Sequence, residues 1–211
     1  MSLTATDKGG SGKIEILPED TYSAVCYEVI DLGLQYNQTF GNVSRKVLIG
    51  WELPDVTVEI DGLQQPRVFS KQYTMSLNEK ATLRKDLVSW RGKQFTDEEL
   101  EGFDLGKLIG VPCLLQIVHT EKNGRKYANL ASVTKIPKAI PRPRGALEPI
   151  LFDLDESPME KMDMMPGWIS DKIKESETYK NRMEREMSAT EECAPGEFVD
   201  LEDDEAGELP F

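Results

Sequence analysis

Three features of the chain predict a mainly β fold, a five-stranded barrel with a helical insert between its third and fourth strands. β-Branched and aromatic residues recur with a period of two in three early segments. The period lengthens to a helical one after residue 75. Two apolar runs beyond residue 110 are then joined by Asn123-Gly124, a type I′ hairpin signal.

The first strand is read over Tyr22–Gln35, with Gly33 placed as a bulge or bend. A polar loop, Tyr36 to Asn42, leads to a second strand over Val43–Leu53 that Pro54 is expected to stop. In that strand Val43, Arg45, Val47, Ile49 and Trp51 share one face; Ser44, Lys46, Leu48, Gly50 and Glu52 share the other. Asp61-Gly62 marks a turn, and Pro66–Thr74 forms a third strand with Arg67, Phe69, Lys71 and Tyr73 on one side. Ser76-Leu-Asn-Glu79 reads as a capping box opening a helix that runs to Trp90, and Thr96-Asp-Glu-Glu99 as a second one. Asp104–Leu108 adds a turn of helix that Gly110 ends. Val111–Thr120 and Arg125–Lys135 are the last two strands.

This order is that of a five-stranded oligonucleotide-binding barrel, although an open α+β sheet would satisfy it too. Four regions follow: a Gly/Ser-rich leader at 1–13, the barrel domain at 14–136, a Pro-rich basic linker and partly helical extension at 137–187, and a disordered acidic tail at 188–211. In the extension Ile150-Leu151-Phe152 is an apolar island. One helix is expected over 167–187, with Trp168, Ile169 and Ile173 on its apolar side.

The net charge of −13 is unevenly spread. Residues 1–145 carry 19 Lys+Arg against 18 Asp+Glu, and residues 146–211 carry 6 against 20. The acidity therefore describes the last third and leaves the body free to present a basic groove. Cys26, Cys113 and Cys193 are odd in number and widely spaced; the first two lie in apolar strands and read as buried free thiols of a reducing compartment. No export signal or membrane-spanning run is visible, so a cytoplasmic location is expected.

Catalysis is not indicated. His119 is the single histidine and lies in an apolar strand, so it reads as structural. The cysteines lack metal-ligand spacing, Gly9-Gly10-Ser11-Gly12-Lys13 departs from a phosphate-loop pattern, and no nucleophile elbow is present. Neither a cofactor nor a metal is expected.

Binding to single strands has a physical basis, because exposed aromatic rings stack on any base while Lys and Arg neutralise phosphates. The candidates are Tyr36 and Phe40 on the first loop, Arg45 or Lys46 according to which face is outward, Trp51, Lys71 and Tyr73 on the second and third strands, and Lys122, Arg125, Lys126 and Tyr127 at the hairpin. Trp51 shares a face with Val47 and Ile49, which equally suits a core residue.

The chain ends in Asp203-Asp204-Glu205-Ala206-Gly207-Glu208-Leu209-Pro210-Phe211. Acidic runs are commonly solvated tails, but an apolar ring beside a terminal carboxylate suits a pocket flanked by Arg or Lys. This end resembles the acidic C-terminal tip of bacterial-type single-stranded DNA-binding proteins. Asp203, Asp204, Glu205, Glu208, Leu209, Pro210 and Phe211 are the matching positions, although Ala206-Gly207 interrupts the acidic run. The body, through Leu48–Pro54, Leu77–Leu87 and Tyr127–Val133, resembles a phage-encoded single-stranded DNA-binding protein family from replication and recombination gene clusters. The resemblance implies a protein that coats single-stranded DNA in the host cytoplasm and recruits replication, recombination and repair proteins through its tip. It leaves open whether Trp168 and its helix close over DNA or form a homodimer contact. A protein-interaction module that never touches DNA is the alternative, and a metal-dependent nuclease a weaker one.

Overall fold

The computed structural model describes residues 15–38, 41–60 and 62–192. Six strands and four α-helices are present among them: β1 (Asp20–Asn37), β2 (Asn42–Ile60), β3 (Leu63–Thr74), α1 (Thr82–Arg91), α2 (Asp97–Glu101), β4 (Pro112–Lys122), β5 (Arg125–Thr134), β6 (Ile150–Phe152), α3 (Gly167–Lys174) and α4 (Glu177–Glu192). Short 3-10 turns occupy Leu105–Leu108 and Met159–Met164. The leader, Phe40, Cys193 and the tip at 203–211 lie outside the described residues.

The fold is mainly β, with the helical insert between the third and fourth strands. The strands form a curled sheet ordered β3-β2-β1-β4-β5, and β6 joins β1 in parallel. A closed barrel does not form: among the described residues no ladder joins the edge strands β3 and β5. Instead α1 packs against both edges. Leu83, Leu87 and Trp90 of α1 enter the core, and Trp90 Nε1 donates to the Pro112 carbonyl at 3.2 Å. Helix α1 thus fills the space that a β3–β5 ladder would close.

Several turns follow local chemistry. Asn123 and Gly124 adopt φ of 53° and 71°, the conformation a type I′ hairpin requires. Thr96 and Glu99 form a reciprocal capping box. Ser76 does not cap a helix. Its Oγ accepts from the Asn78 amide, Asn78 Oδ1 accepts from the Lys80 amide, and α1 begins only at Thr82. These side chains satisfy turn amides locally and so compete with helix initiation. Nor does Pro54 stop β2. It falls within a register shift between Leu53 and Thr57, where a missing ladder donor is tolerated, and the strand resumes to Ile60.

The extension is not a loose linker. Residues Val47 to Leu53 are all buried because β2 is covered on both faces. Val47, Ile49, Trp51 and Leu53 point into the main core with Leu87, Leu115 and Trp90. Leu48, with Ile30 and Leu32 of β1, points into a second core made by Phe152, Leu154, Met162, Met165, Ile169 and Ile173. Each such side chain contributes about 1.5–3 kcal/mol on burial. The expected single helix is two, α3 and α4, broken at Ser176, whose Oγ donates to the Ile173 carbonyl and accepts from the Tyr179 amide. Ile169 and Ile173 are buried as expected, whereas Trp168 is 52% exposed. No helix among the described residues is long and apolar enough to cross a membrane.

Gly33 makes the second core possible. Its φ is +71°, it sits at a register shift in β1, and a Cβ there would lie 2.7 Å from both Leu154 Cδ2 and Ser176 Oγ. Gly110 has a similar φ of +76° with nothing within 4 Å. Gly110→Ala should therefore cost about 1–2 kcal/mol from backbone strain alone. Gly33→Ala should add about 1–3 kcal/mol of overpacking. Equal midpoint shifts in urea unfolding would contradict this account.

Candidate nucleic-acid interface

The structure distributes the expected contact residues among three places. The first is the interior. Trp51 is fully buried, its ring centroid 5.8 Å from that of Trp90. Tyr73 is also buried; its hydroxyl donates to Asp86 Oδ2 of α1 at 2.8 Å, and burial raises its pKa above the ordinary tyrosine range. Lys71 pairs with the same carboxylate at 2.9 Å and lies 4.8 Å from the Tyr73 ring centroid. The face of β3 expected to meet solvent is the one that α1 covers. These three side chains hold the helix to the sheet and have no ring face for a base.

The second place is the end of the β1–β2 ribbon. Tyr36 pairs with Val43 across it and is 61% exposed. Lys46 faces the other way and donates to Thr74 Oγ1 at 2.7 Å. Arg45 is committed elsewhere: it forms ion pairs with buried Asp31 and, at 2.6 Å, with Asp155. Asp31, Asp153 and Asp155 bring carboxylate oxygens within 4.8 Å of one another, and the Arg45 guanidinium supplies their counter-charge. The pairing joins β2 to the extension, so Arg45 reads as a clasp.

The third place is the β4–β5 hairpin. Register sets Tyr127 opposite Thr120 and Arg125 opposite Lys122. Strand alternation then puts Lys122, Arg125 and Tyr127 on one face, opposite the one that Ile117 and Leu130 bury, with Lys126 on the other. All four are exposed, Tyr127 by 47%. Asp20 at the start of β1 pairs with Ile117, and β4 runs on to Lys122. The hairpin tip therefore projects past one end of β1, whereas Tyr36 lies at the other. The expected residues do not converge on one groove.

Four cations outside the expected set complete this surface. From Lys122 to Leu147 the chain carries Lys122, Arg125, Lys126, Lys135, Lys138, Arg142 and Arg144, and no Asp or Glu. All seven are exposed, and none forms an ion pair among the described residues. Elsewhere in the body Arg91 pairs with Glu99 and Lys71 with Asp86, whereas Lys46 donates to the Thr74 hydroxyl. The signal was present in the sequence as a gap between carboxylates, but the Pro-rich part reads as linker unless it is known to be docked.

Buried acids lie on the outer face of β1–β2, away from the main core. Glu52 is fully buried and its carboxylate accepts from the amides of Ala146 and Leu147. Glu28 is 3% exposed, and burial raises its pKa above the ordinary carboxylate range while the Tyr27 hydroxyl partly offsets that. Cys26 and Cys113 are buried free thiols; desolvation pushes Cys26 up to about 12. His119 Nε2 lies 2.8 Å from the Leu17 carbonyl, a structural contact.

Comparison with protein-family models finds no match, and comparison with curated proteins finds none either.

Two outcomes follow from these placements. Tyr73→Phe should lower unfolding stability by about 1.5–3 kcal/mol, the range for a hydrogen bond to a charged group, and leave affinity for oligo-dT unchanged. A loss of affinity at intact stability would return Tyr73 to the interface. For Glu28 the raised pKa means that the fold favours the neutral acid. Its contribution is fully present below the unfolded-state carboxylate range and is lost as pH rises through the folded value. Glu28→Gln should therefore be more stable than the parent at pH 7, and the difference should vanish in acid. Urea unfolding across pH 4–8 gives the comparison, and a pH-independent difference would exclude this linkage.

Proposed function

We propose that this protein is a non-enzymatic, phage-type single-stranded DNA-binding protein of oligonucleotide-binding fold that acts in the host cytoplasm. The observation that carries the reading is the run from Lys122 to Leu147: seven exposed cations without an acidic partner among the described residues, beside the exposed ring of Tyr127. Unpaired cations neutralise phosphates and release counterions, and an exposed ring stacks on any base, which together describe binding without sequence preference. The strand order with its helical insert supports the fold assignment; the β3–β5 edge, open and occupied by α1, is its departure. Tyr36 extends the reading to the β1–β2 end. The terminal Leu209-Pro210-Phe211, behind its acidic run, is read as the handle that recruits replication, recombination and repair proteins.

Titration of fluorescent dT30 at several salt concentrations tests the binding. Affinity should fall steeply with salt, and each of Lys122→Ala and Arg125→Ala should reduce the logarithmic slope by about 0.7. Tyr127→Ala should weaken binding by about 1–3 kcal/mol, the worth of one stacked base. Absence of binding at low salt would reject the reading. Deleting Phe211 should abolish partner capture and leave dT30 affinity intact.

A protein-interaction module is the second reading. Leu151, Met164 and Trp168 of the extension, exposed by 49%, 76% and 52%, favour it. It requires that the chain ignore dT30 at every salt concentration.

A further inference from the structure

We propose that residues 135–147 form a pinned basic strap, and that strap and hairpin tip together hold a single strand across the outer face of β4–β5. This inference rests on the single-strand reading above and assigns the strand a path.

The strap is anchored at both ends. Ile136, 7% exposed, buries the end that leaves β5. At the other end Glu52 receives the Ala146 amide at 2.8 and 3.0 Å and the Leu147 amide at 3.0 Å. A fully buried carboxylate is costly unless charge-assisted bonds satisfy it, and among the described residues these two amides bond to it. Between the anchors Pro137, Pro141 and Pro143 restrict φ, and the Ile140 amide closes a turn on the Pro137 carbonyl at 3.1 Å. Lys138, Arg142 and Arg144 are therefore presented from a segment with little freedom left to lose on binding.

Register gives the strap its course. Thr134 pairs with Leu114 on β4, Pro112 with Val25 on β1, and Val25 with Glu52 on β2. The chain leaves β5 and crosses β4 and β1 to reach β2. The outer face of β4–β5 is then bounded by the hairpin cations at one end and the strap cations at the other. Between them lie exposed Gln116, Thr120, Tyr127 and Asn129 with half-buried Leu114 and Val118, and no carboxylate. Arg125 and Thr134, which stand on this face at the two ends of β5, are about 30 Å apart at strand rise. The second core covers β1–β2 on this outer side, and the β4–β5 portion remains open beside it. A polyanion therefore finds cations at both ends and an exposed ring on the way.

The intact protein is titrated with dT30 over a salt series, alongside the triple variant Lys138→Ala/Arg142→Ala/Arg144→Ala and the single variant Glu52→Gln, with thermal unfolding recorded for each. The triple variant should retain the parent's unfolding and lose about 2 from the logarithmic salt slope, three contacts at about 0.7 each. Glu52→Gln makes the net charge more positive, so a charge-only effect would tighten binding. A strap held by Glu52 predicts weaker binding. An unchanged slope and affinity in the triple variant, with the parent binding normally, would overturn the strap and leave single-strand binding standing. Tighter binding by Glu52→Gln would overturn the pinning. A strap effect confined to a dA30·dT30 duplex would overturn the single-strand assignment, and a parent that ignores dT30 at low salt would overturn both inferences.

Discussion

Burial of the β1–β2 ribbon on both faces is the constraint on which the rest of this molecule depends. A sheet with one solvated face would not require residues 148–182 to be ordered. Here Ile30, Leu32 and Leu48 point away from the main core, and exposing them would leave a contiguous apolar patch. Phe152, Leu154, Met162, Met165, Ile169 and Ile173 cover it. Polar groups secure the cover: Arg45 joins Asp31 to Asp155, Glu52 holds two strap amides, Gln35 Nε2 donates to the Lys172 carbonyl, and Arg182 Nη1 reaches the carbonyls of Leu154 and Ser157. Each is either charge-assisted or buried, so losing one partner leaves a desolvated group behind.

The same arrangement separates charge in space. The acidic last third begins after the strap, and residues 150–173 of it pack over β1–β2. The basic run ends where that cover begins, at the Glu52 contact. Carboxylates that the ribbon needs for pinning are buried and bonded, which removes them from the surface a polyanion would meet. Among the described residues, the cations on β5 and the strap form no ion pair. A protein of net −13 can in this way present a locally positive face.

Much of the local structure was legible from residue chemistry. The hairpin at Asn123-Gly124, the cap at Thr96, the bulge at Gly33 and the insertion of helix between the third and fourth strands all follow from backbone preferences confined to a few residues. Contact residues were less legible. The alternation that groups Lys71 and Tyr73 is visible in sequence, but it is symmetric: it identifies two faces and does not say which one a helix covers. Trp51 and Tyr73 went to the interior because α1 docks on their side. Lys138, Arg142 and Arg144 read as linker because nothing near them in sequence indicates Glu52 as an anchor, 94 residues away from Ala146.

The sequence by itself determined the mainly β class, the order of strands and insert, the turn types and the division of charge between body and tail, since each depends on neighbouring residues or on counting. Tertiary structure alone decided that the sheet stays open with α1 between its edges, that the extension forms a second core, and that a proline-rich segment is a fixed strap. Those outcomes depend on which surfaces meet across large sequence separations. Periodicity records that a surface is apolar or charged and carries no address for its partner.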